Sequence, residues 1–295
     1  LAATVRSLLN LAAQKCEVCD LPFSPELTAE LAAAGPGQLH KHEKFSSRFL
    51  SKKRDLIVYT PGIYEKRSDL RFPVLYLEDG QNLFDPVTSF IPGVYWRVGE
   101  TADALIAQGA IQPLVIVGIY NTGKQRVNEY TPTRDRKLGG GKADKYGRLL
   151  VEELQPFIES RYRIAQGAAN KGLGGSSLGG LLTVYLGMQY PQVFGKLAVL
   201  SPSVWWNHRA ILQSVARAKL PQRPRIWLDV GTDEGVTRTV EQVTALRDAL
   251  LQKGWQENRD LHFEIFPGAQ HNEAAWARRV APFLQFLFPA GDPAV

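Results

Sequence analysis

The fold is decided by the stretch Lys171-Gly-Leu-Gly-Gly-Ser-Ser-Leu-Gly-Gly-Leu-Leu-Thr-Val-Tyr-Leu-Gly-Met-Gln-Tyr190. It contains one G-x-S-x-G pattern, Gly175 to Gly179, centred on Ser177. Small residues two positions either side of a serine let a strand and a helix pass close together through a strained turn. The hydroxyl is then left exposed above a sheet. Ser176 cannot fill the same frame, because its +2 position is Leu178. The pattern alone is weak, arising by chance in on the order of one chain in ten of this length. Its flanks add weight: a strand-like Gly172 to Gly175 leads in, and a helical pattern from Leu178 to Tyr190 leads out. The glycines are no phosphate loop, since no G-K-[ST] follows. A dinucleotide fingerprint would normally lie at a first strand–helix turn, not past mid-chain.

Outward from this point, short apolar runs alternate with longer helical ones. Strands are expected at Lys44 to Leu50, Asp55 to Tyr59, Pro73 to Leu77, Pro113 to Gly118, Lys196 to Leu200, Arg225 to Val230 and Asp260 to Phe266. Helices are expected at Val94 to Ala107, Tyr146 to Tyr162, Thr237 to Gln252 and Glu273 to Phe288, with an irregular polar loop from Asn121 to Lys142. Continuous apolar strands separated by amphipathic helices imply an α/β fold with a mostly parallel sheet and helices on both faces. Residues 1–37 read as an N-terminal helical appendage punctuated by Gly35-Pro36-Gly37, and residues 38–295 as one catalytic domain.

A serine on such a turn needs a base and an acid, in the chain order Ser, acid, His. Of the five histidines, His262 lies inside the strand from Asp260. His271 follows Pro267-Gly-Ala-Gln270 just beyond that strand's C-terminal end, the edge where a parallel sheet gathers catalytic groups. His271 is therefore the expected general base. The acid is expected after the strand ending at Val230, where Asp233 and Glu234 stand side by side. Adjacent turn residues point different ways, and Glu234 is favoured over Asp233. Asp229, inside the strand, reads as structural.

Here the sequence resembles the esterase family that includes enterochelin esterases, the esterase D group, and the feruloyl and acetyl-xylan esterases. The matching pieces are Leu75-Tyr-Leu-Glu-Asp-Gly-Gln-Asn-Leu-Phe84, Asn128-Glu-Tyr-Thr-Pro132, Gly174-Gly-Ser-Ser-Leu-Gly-Gly180, Ser201-Pro-Ser-Val-Trp-Trp206, Gly231-Thr-Asp-Glu-Gly235 and Pro267-Gly-Ala-Gln-His-Asn272. The resemblance implies an α/β-hydrolase fold without a metal or other cofactor, and it supports Glu234 as the acid. It also implies an oxyanion hole made by the backbone N–H groups of Leu178 and Gln81. The expected activity is a serine carboxylic-ester hydrolase acting through an acyl-enzyme, on feruloyl- or acetyl-type esters of carbohydrates. The alternatives are an acyltransferase using the same acyl-enzyme and a siderophore esterase. Trp205, Trp206, Asn121 and Arg126 are the expected substrate contacts, with core packing an equal explanation for one tryptophan of the pair.

Composition sets the outer bounds. The 295 residues are 44% hydrophobic and 22% charged, as in ordinary globular proteins. Lys and Arg number 35 against 29 Asp and Glu, a net +6 spread along the chain without a basic block interleaved with aromatics. A nucleic-acid partner is not expected. No apolar run approaches the roughly 18 residues of a membrane helix, so a soluble protein with a small-molecule or carbohydrate-linked ester substrate is expected. The visible N-terminus lacks the regions of a secretory signal, which leaves the compartment open between secreted or periplasmic and cytoplasmic. Cys16 and Cys19 form a C-x-x-C. A small disulfide or free thiols fit it better than a zinc site completed by His40 and His42, whose spacing is unusual.

Overall fold

The computed structural model describes residues 23–235 and 238–291. Cys16 and Cys19 lie outside these residues. A short helix α1 (Pro25–Ala32) is capped by Ser24, whose side chain accepts from the Leu27 N–H, and it buries Leu31 against the main body. Strands β1 (Gln38–Phe45), β2 (Arg54–Thr60) and β3 (Val74–Glu78) follow, then helix α2 (Val98–Ala107) and β4 (Val115–Ile119). A loop region carries the short helix α3 (Arg126–Tyr130) and a two-residue hairpin, β5 (Arg134–Asp135) with β6 (Gly139–Gly140). Helix α4 (Ala143–Arg148) runs through a π-turn at Leu149–Leu154 into α5 (Gln155–Glu159). Next come β7 (Lys171–Ser176), α6 (Leu178–Gln189), β8 (Lys196–Leu200), α7 (Trp206–Arg217), β9 (Arg225–Asp233) and α8 (Thr239–Gln252). The chain closes with β10 (Leu261–Gln270), α9 (Glu273–Ala277) and α10 (Val280–Leu287).

Eight strands form one sheet in the order β1-β2-β4-β3-β7-β8-β9-β10. Only β1 and β2 run antiparallel to their neighbours; β4, β3, β7, β8, β9 and β10 are mutually parallel. This is the α/β-hydrolase arrangement, and its parallel centre is buried as such sheets must be: every residue of β3, β4 and β8 is inaccessible. The central strand β7 is glycine-rich for a steric reason. A Cβ on Gly174 would stand 2.7 Å from the Ala198 Cβ and 2.9 Å from Leu77 Cδ2.

Four elements depart from the expected pattern. The first strand is Gln38–Phe45, not Lys44–Leu50. Its inward positions are His40 and His42, which bond to Thr60 Oγ1 (3.1 Å) and Tyr162 Oη (2.7 Å), so a polar-looking alternation conceals a strand. The single helix expected from Tyr146 is interrupted, because Pro156 has no N–H to give and the preceding turn widens to π geometry. The closing helix divides in two around Arg278 and Arg279. Helix α7 was not expected; it starts with three residues of positive φ, Asn207, His208 and Arg209, which blurs its helical period.

Beneath the strand–helix turn lies a buried polar cluster. Glu78, at the end of β3, accepts from the Tyr146 hydroxyl and has its Cβ against the turn's glycines: a Cβ on Gly175 would meet it at 3.0 Å and one on Gly179 at 3.2 Å. Arg54 and Glu129 pair at 3.3 Å, both buried, and Arg54 lies over the Tyr146 ring. Burial pushes the Glu78 carboxyl up to about 8 despite the Tyr146 hydrogen bond. The native protein thus keeps a proton that the unfolded chain releases near pH 4.5. A raised native pKa gives a contribution that is complete below the unfolded value and is lost as pH rises through the folded one. Against wild type, Glu78→Gln should therefore gain melting temperature steadily from pH 5 to pH 8, by on the order of 5 °C, and hold that gain at higher pH. Differential scanning fluorimetry across this range would measure it; a gap that does not vary with pH would contradict the assignment.

Candidate active site

The turn after β7 places Ser177 at the N-terminus of α6 with φ 59° and ψ −120°. A non-glycine residue in this region costs on the order of 1–3 kcal/mol and persists only where its surroundings impose it. Here they do: the Ser177 N–H donates to Leu200 O (3.0 Å), and its carbonyl accepts from Leu181 N–H (3.1 Å) and Ser203 N–H (2.9 Å). The neighbouring Ser176 is buried, whereas Ser177 remains partly accessible. The Ser177 hydroxyl lies 3.3 Å from Ser203 Oγ.

The loops after β9 and β10 bring Glu234 and His271 together. Glu234 Oε2 stands 3.0 Å from His271 Nδ1. Its other oxygen, Oε1, accepts from Gly231 N–H (2.6 Å) and Ser201 Oγ–H (2.5 Å). Asp233 faces solvent and Glu234 is buried, so these neighbours are split as a tight turn requires. Burial raises the Glu234 carboxyl, but its hydrogen bonds from His271, Ser201 and Gly231 outweigh this and hold it below the ordinary glutamate range. Behind it, the buried Arg279 guanidinium donates to Asp229 Oδ1 (2.7 Å) and to Ser201 Oγ (2.8 Å), and Trp276 Nε1–H also donates to Ser201 (3.2 Å). Arginine and indole are donors only, so the Ser201 proton has one remaining destination, the Glu234 carboxylate. Trp276 packs edge-on to the His271 ring at 5.0 Å.

On the other side of Ser177, the turn Gly80–Asn82 follows Asp79, which sits at φ 57°. The N–H of Gln81 and that of Leu178 both belong to the first turn of a helical segment, where no intrahelical acceptor is available. Asp79 is clamped by Arg126, Nε to Oδ1 at 2.8 Å and Nη2 to Oδ2 at 2.7 Å, and by Asn121 Nδ2 at 2.7 Å. The Asn121 N–H donates to Gln81 Oε1 (3.2 Å). Asn82 ties this turn to the histidine loop, donating from Nδ2 to Glu273 Oε1 at 3.3 Å while its Oδ1 accepts from Phe90 N–H at 2.9 Å.

Ser177, His271, Gln81, Asn121 and Arg126 line one cavity of about 410 Å³, with Phe90, Ile91 and Trp276 supplying apolar walls. Trp205, 40% exposed, borders a smaller recess of about 220 Å³ that also reaches Ser177, Leu178 and His271. Trp206 is not brought to the site: it is buried in the core and donates its indole N–H to Thr133 O (3.0 Å). Arg126 and Asn121 reach the cavity with Nε and Nη2 of the one and Nδ2 of the other bonded to Asp79. Ser201, Ser203, Asn82, Glu273 and Arg279 also stand at the site and were not expected there from the sequence. The segment Ser201-Pro202-Ser203, quoted for its resemblance only, was the available signal. Among the described residues no cluster of His, Cys, Asp or Glu is arranged to hold a metal, and no helix is long and apolar enough to cross a membrane.

The family model described as "Putative esterase" matches residues 47–287. The endo-1,4-beta-xylanase/feruloyl esterase of Xylanibacter ruminicola is 31% identical over 83% of this chain, which spans 30% of that protein. The iron(III) salmochelin esterase of Escherichia coli is 29% identical over 76% of this chain and 52% of its own length. The crystal structure of an IroE-like serine hydrolase from Shewanella oneidensis superposes with a TM-score of 0.68 at 22% identity, covering 85% of this chain and 80% of that one. Since the family model spans most of the sequence and the fold agrees, the chain belongs to the "Putative esterase" family and is a carboxylic-ester hydrolase.

Proposed function

We propose that Ser177 is the nucleophile, His271 the general base and Glu234 the acid that orients it, in hydrolysis through an acyl-enzyme. The supporting observation is the 3.0 Å contact between His271 Nδ1 and the buried Glu234. A carboxylate only accepts, so Nδ1 carries the proton and Nε2 is the basic nitrogen, beside a cavity that Ser177 also lines. His271 Nε2 takes the Ser177 proton as Oγ bonds to the ester carbonyl carbon. The negative charge on the carbonyl oxygen is received by the N–H groups of Leu178 and Gln81, a type of interaction worth about 3–4 kcal/mol per donor. Collapse breaks the bond to the alcohol oxygen, which leaves with the proton from His271. Water, deprotonated by His271, then attacks the acyl carbon, and Ser177 departs with its proton restored.

The relatives suggest two substrate classes, feruloyl esters and siderophores. The apolar walls Phe90, Ile91 and Trp276, with Arg126 neutralised by a bidentate Asp79, favour an uncharged aromatic acyl group over an anionic chelate. The proposed substrate is therefore a feruloyl-type ester carried on a small molecule or carbohydrate.

Ser177→Ala should reduce kcat on methyl ferulate and p-nitrophenyl acetate by about 10⁴-fold or more. Retention of wild-type rates would refute the nucleophile. Glu234→Ala should cost on the order of 10²–10⁴-fold in kcat, while Asp233→Ala stays within about threefold. The reverse ranking would transfer the acid to Asp233. A higher kcat/KM on a siderophore lactone than on methyl ferulate would replace the substrate class and leave the triad in place.

A further inference from the structure

Two serines of the segment after β8 touch the two ends of the catalytic constellation. Ser201 gives its proton to Glu234, and Ser203 stands against Ser177. Ser203 is 97% buried, being 3% exposed, and its main chain is fixed to the turn: its N–H donates to the Ser177 carbonyl at 2.9 Å, and its carbonyl accepts from Trp206 N–H at 3.2 Å. Pro202 restricts the backbone between the two serines. Its Cα packs against α6 so closely that a Cβ on Gly180 would meet it at 3.1 Å. The Ser203 hydroxyl is therefore held at 3.3 Å from the Ser177 hydroxyl by rigid surroundings.

We propose that Ser203 is a positioning residue for the nucleophile, its hydroxyl donating a hydrogen bond to Ser177 Oγ. The inference rests on the reading of Ser177 as nucleophile. A buried hydroxyl proton left without an acceptor is costly, and the Ser177 oxygen is at hand. With one lone pair of Ser177 Oγ engaged by Ser203, the Ser177 proton is left to His271. As that proton departs, negative charge grows on Oγ, and the bond from Ser203 becomes charge-assisted and stronger. The same bond reaches the ester oxygen of the acyl-enzyme, which must accept negative charge when water displaces it. Ser203 thus assists bond making and bond breaking at one atom without exchanging a proton of its own.

The test uses Ser203→Ala and Ser203→Thr, with steady-state hydrolysis of p-nitrophenyl acetate and the rate of covalent inactivation by a fluorophosphonate. The Ala variant should lose about tenfold in both kcat and inactivation rate. Its KM should stay within twofold and its melting temperature close to wild type, and Thr, which keeps the hydroxyl, should recover most of the loss. A purely structural role would lower the melting temperature and leave phosphonate reactivity of the folded fraction unchanged. An Ala variant within twofold of wild type on both rates overturns the proposal, as does a loss confined to KM. Failure of the triad reading would look different: wild type would take up phosphonate at a residue other than Ser177, or Ser177→Ala would remain active.

Discussion

The buried guanidinium of Arg279 is the interaction on which the site's geometry depends. It lies at the start of α10, bonded to Asp229 in the middle of the sheet and to Ser201 at the end of β8. Two buried charges taken from water cost several kcal/mol each, recovered only where geometry and further hydrogen bonds are good. The network supplies part of this: Arg279 Nη1 makes two hydrogen bonds, while Nε and Nη2 make none, Nη2 standing 3.7 Å from Glu234 Oε1. Asp229 Oδ2 accepts from Trp227 and its Oδ1 from the Ser201 N–H. Burial pushes Asp229 up to about 6, against the pull of Arg279. The result is a polar lattice reaching from the closing helix through two strands to Glu234. The position of Glu234 is thus a property of the sheet as a whole and not only of the loop that carries it.

Some of these positions could be read in the sequence and others could not. Ser177 and His271 could be singled out in the sequence by their context, a glycine frame before an apolar helix and a loop beyond a strand, and the structure brings both to one cavity. Glu234 was favoured over Asp233 before the resemblance added its support, and burial separates the two, Glu234 facing inward and Asp233 outward. Arg279 was illegible. In Ala277-Arg278-Arg279 it reads as a solvated pair of cations, and only the break between α9 and α10 turns the second of them inward. Trp206 shows the opposite case: an aromatic beside the site in sequence whose indole serves the core.

Secondary structure failed where polar residues occupy inward positions. The strand expected at Lys44 to Leu50 lies instead at Gln38–Phe45, where the inward residues His40 and His42 break the apolar alternation, and a proline within a helical period hid a π-turn. Both departures lie away from the catalytic edge. The central strands β3, β4, β7 and β8, whose residues are nearly all buried, lie within two residues of the apolar runs that predict them, whereas β9 and β10 extend further than their runs.

The Asn82–Glu273 hydrogen bond joins positions 191 residues apart. It is made between side chains buried at the boundary of the Gly80–Asn82 turn and the loop carrying His271. Neither segment can open without removing a polar partner from the other, and an orphaned buried amide or carboxyl is penalised at once. The bond therefore couples the opening of the two loops, distant in sequence, and amide hydrogen exchange around Asn82 should rise when Glu273 loses its carboxyl.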